Sequence, residues 1–340
     1  MSYDQEVMKH ERGPMNRTLT IEDLERDLLG SRLQTVNTPE GLEHLKNKVI
    51  FGDLFKCVDL LPDHFVDLLI IDPPYNLDKI YNGNSFRKMQ PNEYTAWVES
   101  WMVKLVRTVK PSGSIYVCCD WQSSFAIYEA LSKYFIVKNR ITWEREKGRG
   151  SRTNWKNCSE DIWYAVASKE ATFHPDRVMT KRKVLAPYRH ANGAPKDWNE
   201  TEAGNYRLTH PSNLWTDITV PFWSMPENTD HPAQKPEKLI AKLILASSNP
   251  SDLVFDPFLG SGTTAVVAKK LGRMYCGIEI DHEYCLLAEK RLELASRSSA
   301  IQGYDGETFW ERNSLGEQRR LSRGSAVGRD AAKHTQESLL

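Results

Sequence analysis

The chain has 340 residues, 40% of them hydrophobic, and 45 Lys and Arg against 45 Asp and Glu, a formal net charge of zero. That composition suffices for one large α/β domain or two smaller ones with a proper core, and no apolar run approaches the length of a membrane span. The opening stretch MSYDQEVMKHERGPMNR carries charges where a signal peptide needs an apolar centre, so the expected compartment is the cytoplasm.

Six cysteines, at 57, 118, 119, 158, 276 and 285, form no CxxC pair and have no matching histidine spacing. They are expected to be reduced core thiols, and no metal site is expected.

In chain order, residues 1–17 are polar, and TIEDLERDLLGSRLQ then predicts a peripheral helix opened by a capping box of Thr20 and Asp23. Residues 1–40 are therefore expected to form an amino-terminal extension. KVIFGDLFKCVDLLPDHFVDLLIIDPP predicts strand, short helix, strand, and PNEYTAWVESWMVKLVRTVKPSGSIYVCCD a long amphipathic helix, a Pro-Ser-Gly turn and a buried strand. A helix over 123–133, a strand over 135–144 and a strand in EDIWYAVASK continue the alternation. Leu68 to Ile71 are four aliphatics in a row, the pattern of a strand covered on both faces. Asp72 follows at the carboxyl end, the edge where open α/β sheets bind ligands. The expected fold is α/β, one doubly wound, mostly parallel sheet with helices on both faces.

Between about 170 and 232 the regularity stops, and Pro, Asn, His, Trp and basic residues mix without period. A loop-rich insertion in a regular frame is where specificity is usually carried. Residues 138–210 hold 15 Lys and Arg against nine Asp and Glu, a local excess of +6. Such a face fits a polyanion binder, although charge alone supports an ordinary solvated surface equally. Regularity returns with helices in KPEKLIAKLILASS, GTTAVVAKKLG and EYCLLAEKRLELAS and strands in DLVFDPF and RMYCGIEID. From 297 to 340 the tail is polar, with Arg319, Arg320, Arg323 and Arg329 forming a basic stretch, and is expected to be disordered.

The second informative strand end is LVFDPFLGSGTTAVVAKKLG, where Gly260 and Gly262 lead from an acid into a helix and allow backbone to approach a ligand. No lysine follows Gly262, which disfavours a nucleoside triphosphate loop. Glu279 stands 23 residues after Asp256, close to the spacing that places a carboxylate on ribose hydroxyls. Two acids suit a nucleoside ligand with a cationic end, pointing to S-adenosylmethionine over a dinucleotide. A tight turn packed by glycines is the plainer alternative.

DPPY at 72–75, HPAQKP at 231–236 and FDPFLGSGTT at 255–264, in this order, resemble the N4/N6 amino-methyltransferases of DNA with the catalytic motif ahead of the cofactor motif, often called the β class. The resemblance spans roughly residues 48–295 and implies a methyltransferase fold with a catalytic half at 41–169, a target-recognition region at 170–230 and a cofactor half at 231–296. It implies methyl transfer from S-adenosylmethionine to an amine of a base flipped out of duplex DNA. Asp72 and the Pro73 carbonyl would accept hydrogen bonds from the amine, with Pro73 and Pro74 stiffening the loop and Tyr75 stacking on the base. For the cofactor it implies Asp72, Asp256, Phe258, Gly260, Ser261, Gly262 and Thr263, with Lys235 near the methionine carboxylate, Glu279 on the ribose, and Asp53 and Leu54 at the adenine ring. Ala233 stands where many relatives have Thr, so a hydroxyl contact there must be absent or supplied elsewhere.

Asp at the first motif position favours adenine-N6, cytosine-N4 enzymes usually carrying Ser there. Cytosine-N4 methylation, an RNA substrate and a catalytically idle DNA-binding subunit remain alternatives. Basic residues of the recognition region and of the 144–157 loop, Arg149, Arg152, Lys181, Arg182, Lys183 and Arg189, are the candidates for contacting DNA. A restriction-modification setting with a cognate endonuclease, action at the nucleoid of a bacterial or archaeal cell, and a homodimer all fit the class, and no sequence feature decides the last.

Overall fold

The computed structural model describes residues 13–145, 152–184, 188–201, 204–312 and 314. The first half contains helix α1 (Asp23–Gly30), helical turn α2 (Leu42–Leu45), strand β1 (Lys48–Phe51), turn α3 (Leu54–Cys57), strand β2 (Val66–Ile71) and the hairpin β3 (Lys79–Tyr81) and β4 (Asn84–Phe86). Helix α4 (Pro91–Val106), strand β5 (Val109–Cys119), helix α5 (Ser124–Tyr134) and strands β6 (Ile136–Glu144) and β7 (Ser159–Val166) follow. Short strands β8 (Thr180–Lys183), β9 (Asn199–Thr201), β10 (Gly204–Thr209) and β11 (Leu214–Trp215) precede α6 (Glu237–Ser247), β12 (Leu253–Asp256), α7 (Thr263–Lys270), β13 (Met274–Glu279) and α8 (His282–Arg297). The last strands are β14 (Tyr304–Asp305) and β15 (Thr308–Trp310).

Eight strands form one sheet in the order β1-β13-β12-β2-β5-β7-β6-β11. From β1 to β5 the neighbours are parallel, and β7 is antiparallel to both β5 and β6. The unalternated run of β2 is explained by its two covers. Leu68 and Ile70 pack into the core under α6, α7 and α8, and Leu69 and Ile71 into the core under α4 and α5. After β2 the chain winds outward toward β5, and after β12 it winds the other way toward β13. The reversal falls between these two strands, so Asp72 and Asp256 emerge at the same sheet edge where a crevice opens.

Local details differ from the sequence expectations in three places. Helix α1 is capped at Glu22, whose backbone N–H donates to the Glu25 carboxylate at 3.1 Å in a capping box, in place of Thr20 and Asp23. The expected Pro-Ser-Gly turn lies within the span of β5 as a bulge, the register stepping from Val66 beside Val109 to Leu68 beside Ser114. Cys158 is exposed, whereas the other five cysteines are buried.

The largest difference concerns the carboxyl-terminal tail. Part of the segment expected to be disordered forms strands: β14 and β15 join β8, β10 and β9 in a second, five-stranded sheet, with β15 parallel to β8. Ile301, Phe309 and Trp310 are buried there, and the Lys238 ammonium on α6 donates to the Trp310 carbonyl. A polar average over forty residues conceals this, because three apolar side chains suffice when their partners come from a distant segment. The basic stretch from Arg319 to Arg329 lies outside the described residues.

Phe309 is fully buried. Phe309→Ala is therefore expected to lower stability by about 3–5 kcal/mol in urea denaturation, against about 0.5 kcal/mol or less for a residue of a solvated tail.

Candidate active site

Strand β2 delivers Asp72 to the crevice, and the following loop is pinned from α4, where the Tyr94 hydroxyl donates to the Pro74 carbonyl at 2.9 Å. Buried Asn76 continues the anchoring by exchanging hydrogen bonds with the Met89 backbone at 2.7 and 3.0 Å. Both prolines lack an N–H, so the loop presents carbonyls without competing donors. The Tyr75 hydroxyl lies 3.1 Å from both Asp72 Oδ1 and Glu160 Oε2.

Lys235 closes this cluster. Its Nζ donates to Asp72 Oδ1 at 2.7 Å and Oδ2 at 2.6 Å, stands 3.5 Å from Glu160 Oε2, and lies 5.2 Å from the Tyr75 ring centre. The Arg145 guanidinium holds the other oxygen of Glu160. Burial lifts the Asp72 carboxyl above its ordinary value, Lys235 opposing this and Glu160 adding to it. Burial works against the Lys235 charge, yet Asp72 and Glu160 outweigh it and hold the ammonium above the usual lysine range. The Tyr75 hydroxyl is raised by burial and by the two carboxylates, which keeps it protonated and able to donate.

The motif around Lys235 is braced by its own side chains. Gln234 accepts from the Thr229 backbone and hydroxyl at 2.9 and 2.7 Å and donates to the Glu227 carbonyl at 2.6 Å. His231 packs edge-on against Tyr284, and burial beside Lys235 and Lys79 lowers its pKa to about 3. Ala233, where a hydroxyl was missing, turns its N–H to His231 Nδ1 at 3.3 Å.

At the neighbouring strand end, Asp256 accepts from the Phe258 N–H at 3.0 Å and the Thr264 hydroxyl at 2.6 Å. Glu279 accepts from the Gly260 and Asp281 N–H groups at 2.7 and 2.8 Å. Asp256 thus shapes the glycine loop directly and also lines the cavity. Gly260 and Gly262 have φ of +54° and +84°. A Cβ on Gly262 would come within 2.6 Å of Ala288 Cβ, so this glycine lets α7 pack on α8 and, unlike Gly260, does not line the cavity. Across the opening lies the β3–β4 hairpin, with Asn82 Nδ2 3.1 Å from both Asp281 oxygens.

These elements enclose a cavity of about 400 Å³. Asp53, Leu54, Asp72, Pro73, Pro74, Tyr75, Lys235, Asp256, Phe258, Gly260, Ser261, Thr263 and Glu279 all line it. Lys235, which the resemblance places beside the methionine carboxylate, lines the cavity while paired with Asp72 and Glu160. Glu160 and Arg145 escaped the sequence reading. The signal was Glu160 and Asp161 opening the otherwise apolar strand EDIWYAV. Because β7 is antiparallel, its first residues emerge at the same sheet edge as Asp72.

The candidate DNA contacts divide. Lys181 is held over the Tyr206 and Trp310 rings at 4.9 and 4.5 Å, Arg182 lies 3.9 Å from Glu311, and Arg189 stacks 4.7 Å over Trp198 while pairing with Glu200. Those three brace the second sheet. Arg152 and Lys183 are exposed, and Arg149 lies outside the described residues.

Burial raises Asp256 and Glu279 from their ordinary 3.8 and 4.5 to about 7 each. The folded state therefore holds these protons to higher pH than the unfolded chain. Stability from this source is complete below about pH 4 and is lost as pH rises through about 7. Between about pH 5 and pH 8 the melting temperature is expected to fall more steeply for the wild type than for Asp256→Asn/Glu279→Gln. Equal slopes would refute the raised values.

Comparison with known proteins fits this geometry. The N6/N4 methyltransferase family model, described as DNA methylase, matches residues 66–290. Type II methyltransferase M.HpaI of Haemophilus parainfluenzae is 34% identical over 266 residues, covering 77% of each chain. DNA adenine methyltransferase YhdJ of Escherichia coli (strain K12) is 33% identical over 259 residues, covering 74% of this chain and 84% of its own. The solved PvuII DNA methyltransferase (cytosine-N4-specific) superposes with a TM-score of 0.54 over 74% of this chain and 90% of that one, at 19% identity, a likeness of fold. With the family model covering most of the chain and two such relatives spanning it, the protein belongs to the N6/N4 family of DNA methylases.

Proposed function

We propose that the protein methylates the N6 amine of adenine at a specific sequence of duplex DNA, with S-adenosylmethionine as donor, in the cytoplasm and as the modification arm of a restriction-modification system. The observation that carries this reading is Asp72 at the switch-point crevice, framed by two prolines and joined to Tyr75 and Lys235 in one cavity with the glycine loop. Relatives named as type II and adenine methyltransferases support the choice of DNA and of adenine.

The donor set fits S-adenosylmethionine. Phe258 and Leu54 offer apolar walls, Glu279 a carboxylate for ribose hydroxyls, Asp53 an acid at the adenine end, and Gly260 close backbone approach. When bound, the cofactor supplies an electrophilic methyl group on a sulfonium. The protein's own part is to place the acceptor. An exocyclic adenine amine is a poor nucleophile because its lone pair is delocalised into the ring, and inside a duplex it is out of reach, so the base must be extruded. Asp72 and the Pro73 carbonyl accept its N–H groups and favour a tetrahedral nitrogen whose lone pair is exposed. Tyr75, its hydroxyl tethered between two carboxylates, offers a fixed ring for the base to stack on and offsets part of the unstacking cost.

Target recognition falls to the region from 170 to 230, with the carboxyl-terminal strands completing its sheet. Arg152 and Lys183 are the exposed cations proposed to meet phosphates.

Expression in a bacterial host lacking DNA methylation, followed by single-molecule sequencing and nucleoside mass spectrometry, is expected to show N6-methyladenine at one recurring sequence. N4-methylcytosine would overturn the choice of base. Asp72→Ala is expected to reduce methyl transfer by roughly 10³-fold while leaving the melting profile cooperative, and near-normal transfer would refute the assignment of Asp72.

A further inference from the structure

Glu160 takes no role in the chemistry above, yet it stands at the centre of the acceptor end. Its side chain is 7% exposed, and its carboxylate meets three donors: the Tyr75 hydroxyl at 3.1 Å, the Arg145 guanidinium, and the Lys235 ammonium at 3.5 Å. Two of these three also serve Asp72. A buried carboxylate is costly to hold, so its placement here has to be matched by what it does to its neighbours.

Asp72 alone with Lys235 would be a neutral pair. An ammonium bonded to both carboxylate oxygens weakens them as acceptors, and its charge opposes the positive charge that grows on an amine as it is alkylated. A second anion on the same ammonium changes that balance. Lys235 is shared between two carboxylates, and the Arg145 side chain on the far side of Glu160 is 36% exposed, so its charge is partly screened by water.

We infer that Glu160 is a positioning residue of the methyl-acceptor site, one that shares Lys235 and the Tyr75 hydroxyl with Asp72 and so keeps Asp72 a strong anionic acceptor for the target amine. The inference rests on the proposed reading of Asp72. A brace that merely ties β7 to the Lys235 loop would affect stability and leave the acceptor unchanged.

The charged and titratable groups around Asp72 come from every packed element: Tyr75 from its own loop, Lys235 from the loop before α6, Glu160 from β7, Lys79 from β3, Asp256 from β12 and Cys118 from β5. Burial and Glu160 raise the Asp72 carboxyl, and Lys235 lowers it. Removing Glu160 must therefore shift its titration to lower pH, and removing Lys235 to higher pH.

The test is a ¹³C NMR titration of the full-length protein, without cofactor, labelled at aspartate carboxyl carbons, with Asp72 assigned from Asp72→Asn. The midpoint is expected to fall in Glu160→Gln, rise in Lys235→Met and lie between in the double variant. In steady-state assays at saturating donor and DNA, Glu160→Gln is expected to lose roughly 10–100-fold in kcat, the range typical when an outer partner of an active-site ligand is removed, with little change in the donor KM. The acid limb of its kcat profile should move to lower pH with the Asp72 midpoint. If Glu160→Gln alone does not fold, Lys235→Met is compared with Lys235→Met/Glu160→Gln, where the midpoint must fall. An unchanged midpoint and acid limb beside a lower melting temperature would overturn the inference. A wild type that makes no methylated base, with the titration shifting as expected, would instead overturn the proposed function and leave the charge sharing intact.

Discussion

Parallel pairing of β2 with β12 is the constraint on which the site depends. The ladder sets Val254 beside Leu68 and Phe255 beside Leu69, so the two strands end within a residue of each other and release Asp72 and Asp256 at one edge. Each strand is buried on both faces, and a slip of one residue would turn Leu68 and Ile70 toward the wrong helical layer. The winding direction reverses between the two strands, so the helices that follow them diverge and leave room for a ligand.

The crevice handles its buried acids in two ways. Asp256 and Glu279 are satisfied by backbone N–H groups and a hydroxyl, and burial raises both to about 7. Asp72 and Glu160 instead share Lys235 and stay in a network of charge-assisted hydrogen bonds. One end of the cavity is therefore built by shape and backbone, the other by fixed charge. Tyr75 joins them mechanically, since its hydroxyl is set by the charged cluster while its ring faces the cavity.

The second sheet is tied to the same machinery through α6. Lys238 and Lys242 on this helix both reach Asp217 at 2.8 Å, and Lys238 also holds the Trp310 carbonyl of β15. The helix begins one residue after the motif that carries Lys235. The amino-terminal segment adds a further tie, with Leu19 bridging to Thr229 and Arg26 on α1 pairing with Glu283 on α8. Segments outside the family-matched region thus buttress the loop that positions the central lysine.

Much of this was legible in the sequence. Unbroken aliphatic runs marked strands covered on both sides, helical periodicity marked their covers, and an acid at a strand end marked the crevice, because each of these signals is local. Asp72, Tyr75, Lys235 and Glu279 could be named from short motifs for the same reason. What tertiary structure alone decided are the relations between distant segments. Lys235 bonds to Asp72 across 163 residues, and Glu160 enters the same cluster because β7 runs antiparallel to its neighbours. Phe309 and Trp310 leave a polar tail to complete a sheet begun at Thr180. Local pattern records which face of an element is apolar, whereas the partner of a buried charge or of a short edge strand is set by chain topology, and no window of neighbouring residues contains it.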